Sequence, residues 1–273
     1  MSSKGGRSKV GSGFARIPNG LDFQAARKQA HTAAQLLATA AQTHLERRPD
    51  RSESALTWKG GNLVSQAING VTLHLDPALL VIGIRGPKGD FQLELQGISV
   101  LRALEGLTIA LHKHGVAPKP WDIPDWDLPM GPLRKQGNFA VQPEGVALGQ
   151  AYQAAAKLLA RVVKSPKAGT VLCWPHHFDL ACLLTVGTDD EGNLSQSVGV
   201  GMSPGDDGIP QPYLYVTPWP APEGWTPEPL TLGDWNESWV GAVLHARDWP
   251  GDTGARDFVE EAVAVCRGVL DSK

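Results

Sequence analysis

The chain has 273 residues, a net charge of −3 and a composition that is 42% hydrophobic and 19% charged. That balance suits a globular protein with one large core or two modest ones, and no apolar run of about eighteen residues is present that could span a membrane. Glycine (31) and proline (21) are both abundant, so turns and extended loops should join much of the structure.

The charge is uneven. Residues 1–48 hold eight Lys/Arg against Asp22 and Glu46, a balance of +6 that leaves −9 for the remainder. Residues 1–20 read as a disordered, basic, Gly/Ser-rich arm, expected to act as a solubilising tail rather than a nucleic-acid contact. No zinc-finger spacing and no basic helix interleaved with aromatics follows it. With no apolar stretch of a secretory signal near Met1, a cytoplasmic location is expected. The three cysteines, Cys173, Cys182 and Cys266, match no metal framework and are expected to be buried free thiols.

A helix is predicted from Leu21 to about Glu46, with Phe23, Ala26, Ala30, Ala33, Leu37, Ala41 and Leu45 on one stripe. Strands follow at 71–75, 79–85 and 91–95, joined by Asp76-Pro77 and Gly86-Pro87-Lys88-Gly89. A second helix covers about 99–114. Residues 117–143 contain six prolines with Trp121 and Trp126, and read as an extended connector pinned down by its tryptophans. A helix over 145–163 comes next, then strands at 170–174, 178–187, 194–201 and 212–217, and a last helix over 254–270. Two halves, 21–116 and 144–273, therefore share a helix–strands–helix order, and an internal duplication of an α-β-β-β-α unit is expected. The fold class is α+β, with antiparallel sheets whose helices pack on one side. Trp225, Trp235, Trp239 and Trp249 are expected to staple a long loop onto the sheet.

Several motifs resemble the bacterial family catalogued as domain of unknown function 5996. They are His31-Thr32-Ala33-Ala34-Gln35, the segment 93–115 before Ile123-Pro124-Asp125, and Trp174 followed by Phe178-Asp179-Leu180-Ala181. Ser203-Pro204-Gly205-Asp206 and Tyr213-Leu214-Tyr215 complete the likeness, which covers most of 22–220. The resemblance implies a shared architecture and brings no established activity with it.

Candidate chemistry concentrates between Cys173 and Pro220. His176, His177 and Asp179 offer two imidazoles and a carboxylate, and Asp206 and Asp207 follow in the next turn. A divalent metal could take His177, Asp179 and Asp206, with His31 brought over by the first helix, which would suit a metal-assisted hydrolase. Alternatively, an Asp179–His177 pair could orient an imidazole for acid–base work, with Ser203, Cys173 or Cys182 as nucleophile, although none sits in an activating motif. A third reading is a small polar ligand held in a cleft lined by His31, Gln35, Trp174, His177, Asp179, Asp206, Tyr213 and Tyr215. His31 and Gln35 lie one helical turn apart and can point at one spot. The blander alternatives are a hydrogen-bonded structural cluster and a non-catalytic scaffold using the basic arm and the late tryptophans. The ligand-binding reading is the expectation carried forward.

Overall fold

A computed structural model of the chain describes residues 21–126, 128, 131–162, 164, 168–236 and 238–271. The expected basic arm over 1–20 lies outside the described residues.

Helix α1 (Leu21–His44) leads into five short strands, β1 (Thr57–Lys59), β2 (Asn62–Val64), β3 (Thr72–Asp76), β4 (Val81–Gly86) and β5 (Gly89–Glu94), followed by α2 (Val100–Lys113). After the connector come α3 (Gly145–Val162), β6 (Leu172–Trp174), β7 (Asp179–Thr188), β8 (Leu194–Ser203) and β9 (Tyr213–Trp219). Strands β10 (Asp234–Trp235) and β11 (Ala242–His245) precede the last helix, α4 (Asp252–Asp271).

The strands form two antiparallel sheets. One runs β1-β2-β3-β4-β5 in chain order, and the other runs β6-β7-β8-β9-β11-β10. They meet edge to edge at a bridge in which Leu56 and Cys173 exchange backbone hydrogen bonds of 2.9 and 2.7 Å. The α+β class with antiparallel sheets is therefore the observed one. The expected repeat of an α-β-β-β-α unit is not confirmed, because the first half carries five strands and the second six, in different orders. The strands missing from the sequence reading are β1 and β2, joined by Gly60-Gly61 with φ of 58° and 81°, and the pair β10 and β11. Two consecutive left-handed residues are what a tight hairpin with a primed turn requires.

Helix α1 departs from the one-stripe expectation. Residues 30–42 are buried without a break, so the helix is enclosed on every side. Its small residues (Ala30, Ala33, Ala34, Ala38, Ala40 and Ala41) allow neighbouring elements to approach closely, and it packs on α2, α3 and β3. A helix enclosed in this way carries its polar residues into the interior with it, where each needs a partner.

In the six-stranded sheet, Leu180, Cys182 and Leu184 of β7, Val198, Val200 and Met202 of β8, and Leu214 and Val216 of β9 are buried in the core. This is the face covered by α3 and α4. Alternation sends Asp179 and Ala181, Ser203, Gly201 and Gly199, and Tyr213, Tyr215 and Thr217 to the other face. The register aligns Ser203 with Tyr213, Gly201 with Tyr215 and Gly199 with Thr217. The candidate site lies on this second face.

The connector, expected to be pinned by its tryptophans, is held by Trp126 Nε1–H on Gln35 Oε1 (3.2 Å) and by backbone donors. Asp122 N–H donates to Thr43 Oγ1 (2.9 Å), Ala140 N–H to Gln29 Oε1 (3.0 Å) and Val141 N–H to Gln96 Oε1 (2.6 Å). All three cysteines are buried free thiols. Among the described residues no helix is long and apolar enough to cross a membrane.

Candidate functional site

A cavity of about 450 Å³ opens above the second face of the six-stranded sheet. Its floor is Asp179, Ser203, Tyr213, Tyr215 and Thr217, and its sides are Arg27 and His31 of α1, His177 and Phe178 of the β6–β7 turn, the Pro204–Asp206 bend and Trp239. Folding thus gathers His177, Asp179 and the bend around Gly205 at one hollow.

The floor depends on an absent side chain. Gly201 lies opposite Tyr215 across the β8–β9 ladder, and a Cβ there would sit 2.5 Å from the Tyr215 ring and hydroxyl. Glycine lets the ring lie across β8, so that the Tyr215 hydroxyl reaches Asp179 on β7 and donates to its Oδ2. Asp179 is only 7% exposed, and its other oxygen, Oδ1, is buried with no hydrogen-bond partner. Burial raises this carboxyl's pKa above its ordinary value. The Tyr215 hydroxyl, the charge of His177 and the residue's own amide favour the ionised form but do not offset that burial. The same surroundings hold the Tyr215 phenol well above its usual range.

Asp206 is in the opposite condition. Its Oδ1 accepts from Gly208 N–H (2.8 Å) and Ile209 N–H (2.7 Å), and its Oδ2 accepts from the Tyr213 hydroxyl (2.6 Å). These bonds shape the bend, and both oxygens are engaged. Ser203 Oγ accepts from Gly205 N–H (3.1 Å) in the same bend. Gly205 adopts φ +105°, and a side chain there would collide with Arg27 and the Pro210 carbonyl.

The β6–β7 connection is a four-residue turn, Pro175 to Phe178, with Trp174 paired to Asp179. His177 therefore sits in the turn, and strand alternation does not set its direction. Phe178 takes φ 59°, a left-handed conformation costing a non-glycine residue about 1 kcal/mol. It is held from three sides: its N–H donates to Trp174 O (2.7 Å), its carbonyl accepts from the Tyr152 hydroxyl, and its ring stacks on His31 at 4.9 Å and 5°.

His31 Nε2 lies 2.6 Å from the Pro175 carbonyl. A carbonyl can only accept, so Nε2 carries the proton, and the neutral ring keeps an unshared pair on Nδ1. Burial pushes the His31 pKa down to about 3. The Pro175 carbonyl pulls the other way, while charge on Arg27, His177 and His176 adds to the depression. Gln35, fully buried one turn on, donates through Nε2 to the same carbonyl and accepts through Oε1 from Trp126 Nε1–H (3.2 Å). His31 and Gln35 thus converge on one spot, the carbonyl of the turn. His176, flanked by Trp126 and Trp174, is pushed down to about 4 by burial and then by His177.

Arg27 is the cation of the site. Its Nη1–H donates to Pro210 O (3.2 Å), and it makes no ion pair among the described residues. Burial lowers its pKa, against the charges of Asp206 and Asp207. Trp239 folds back over Gly241 as a lip at 36% exposure, in a loop held by the bond from Thr217 Oγ1–H to Val240 O (2.8 Å).

Of the eight residues expected to bind a ligand, His31, His177, Asp179, Asp206, Tyr213 and Tyr215 line the cavity. Gln35 supports it from behind, and Trp174 lies beside His176 away from the lining. The metal set His177, Asp179 and Asp206 shares the cavity, yet among the described residues no three His, Cys, Asp or Glu side chains are grouped to hold a metal ion. Asp179 bonds to Tyr215 rather than to His177, so the expected imidazole-orienting pair is absent among the described hydrogen bonds. Burial holds the Cys173 thiol high and pushes Cys182 up to about 11, which disfavours the thiolate at both.

Arg27, Phe178, Thr217 and Trp239 were missed. Arg27 was legible, since 27, 31 and 35 follow the spacing of one helix face. Gly199 and Gly201, alternating on one strand, signalled a close approach on that face. Trp239 gave no signal separating it from Trp225 and Trp235, which pack on each other at 4.9 Å. No family model, curated protein or solved structure matches the chain.

Proposed function

We propose that the chain binds a small polar molecule in the cavity between α1, the 175–178 turn, the 203–210 bend and β9. One observation carries this reading: the Asp179 carboxyl, more than nine-tenths buried at the cavity floor, has an oxygen without a partner. Leaving such a group unsatisfied costs about 1–3 kcal/mol or more. A cluster serving stability alone would match that oxygen internally, as the bend does for both oxygens of Asp206. Rigid aromatic walls with a few fixed polar groups are the usual lining of a small-molecule site.

The test is thermal denaturation of the full chain against a panel of amines, amino acids, carboxylic acids, sugars and nucleosides. At least one class is expected to raise the melting temperature in a concentration-dependent manner, since occupancy at about 100 times Kd adds about 2.7 kcal/mol. Asp179→Asn should weaken that response. The same variant should raise the unliganded melting temperature by a few degrees, because the costly buried acid is gone. A panel with no active class, or an identical response from the variant, overturns the proposal.

A further inference from the structure

Resting on that reading, we infer that the molecule presents a protonated nitrogen to Asp179: the site is built for an organic cation with an apolar or aromatic body, an amine or amidine. Beside Asp179, two acceptor positions are uncommitted while the neighbouring phenol donors are spent. Asp179 Oδ1 has no donor, and His31 Nδ1 is left with its unshared pair once Nε2–H is committed to Pro175. Both phenol hydroxyls are already spent as donors, Tyr215 to Asp179 and Tyr213 to Asp206.

The walls suit the same ligand. Phe178, Tyr213, Tyr215 and Trp239 line the same cavity as the carboxyl, and aromatic rings with a buried acid are the usual environment of an alkylammonium or amidinium group. The opposing charge is Arg27, but it sits at the bend, bonded to Pro210 O, with Asp206 and Asp207 nearby to balance it. Among the described residues Asp179 makes no ion pair, and the ligand supplies one.

The experiment measures binding of three probes of matched size to the full chain by ligand-observed NMR titration at neutral pH: benzylamine, benzyl alcohol and benzoate. Benzylamine is expected to bind about tenfold more tightly than benzyl alcohol, with benzoate weakest. Asp179→Asn should erase the preference for the amine and leave alcohol binding in place. Tyr215→Phe, which keeps the carboxyl and removes its hydroxyl partner, should retain the preference. Equal binding of amine and alcohol, tighter binding of benzoate, or a preference surviving in Asp179→Asn overturns the inference. If none of the three binds at millimolar concentration the inference also fails. The cavity reading is decided separately by the broad panel, where a carboxylic acid or sugar response would preserve it.

Discussion

The two sheets are assembled alike and differ in what covers their second face. In the five-stranded sheet, Leu63, Leu73, Leu75, Ile82 and Ile84 are buried in the core. The opposite face carries Thr72, His74, Arg85, Asp90 and Gln92, half-buried or exposed. Its polar groups find water or one another, as Thr72 Oγ1 and His74 Nε2 do at 2.8 Å and Arg85 and Asp90 do at 3.9 Å. The six-stranded sheet has the same helix-covered apolar face, but α1, two turns and Trp239 roof its other side. Under that roof a carboxylate position becomes a buried acid without a full set of partners. The difference teaches that the roof makes the site, because strand alternation delivers polar residues to both second faces.

The sharpest way to break the comparison is to damage the first sheet and ask whether the second notices. Leu73→Ala, at a fully buried position, should cost about 2–5 kcal/mol by chemical denaturation. Probe binding at the cavity should persist wherever the variant remains folded. If binding disappears with Leu73, the sheets act as one unit and the contrast fails.

Acid separates the roof from the solvated face. The folded-state pKa of His31 is about 3, against 6.5 for the free side chain, so the unfolded chain takes up the proton first. His31 should therefore cost stability as pH drops below 6.5, contributing a loss of about 3 kcal/mol at pH 4, with its share levelling off near pH 3. His31→Gln should reduce the slope in melts between pH 7 and 4, leaving the share of His176, whose pKa is pushed down to about 4. His74→Gln on the open face should change it much less. Equal effects from the two would show that the roof does not isolate His31.

The smallest effect comes from paired glycine substitutions. Gly201→Ala forces a methyl group into the Tyr215 ring and should cost about 1–3 kcal/mol together with probe binding. Gly83→Ala on the open face meets only His74 at 3.7 Å, and should change stability by about 0.5 kcal/mol or less. Denaturation curves of the pair read the difference directly, and equal costs would mean that the two second faces are equally crowded.

Legibility in the sequence followed the range of the physics. Helix α2 begins at Val100 after Ser99, whose side chain accepts from Arg102 N–H (3.3 Å), and its Leu-rich face was readable from spacing. The long strands β7 and β8 were readable from β-branched and apolar runs. Strands β1, β2, β10 and β11 were not, since two to four residues hold too little pattern, although Gly60-Gly61 marked one hairpin. Within the site, His177 and Asp179 were found as neighbouring imidazole and carboxylate, and Asp206, Tyr213 and Tyr215 through the dense segment that follows. The place of His177 in a turn means that strand alternation does not set its direction. Trp174 lies outside the lining, since an aromatic next to a polar cluster has no direction set by sequence alone.

Residue order alone settled the alternation of small, aromatic and acidic residues along β7, β8 and β9, the helical step that joins 27, 31 and 35, and the turn residues at 203–208. These are nearest-neighbour effects, governed by backbone geometry over a few bonds. Long-range packing settled the rest: that α1 is enclosed on all sides, that Tyr215 crosses Gly201 to reach Asp179, and that Asp206 is satisfied while Asp179 is left with an open oxygen. Hydrogen-bond completeness and desolvation depend on which distant segments share a volume, and no local pattern encodes that.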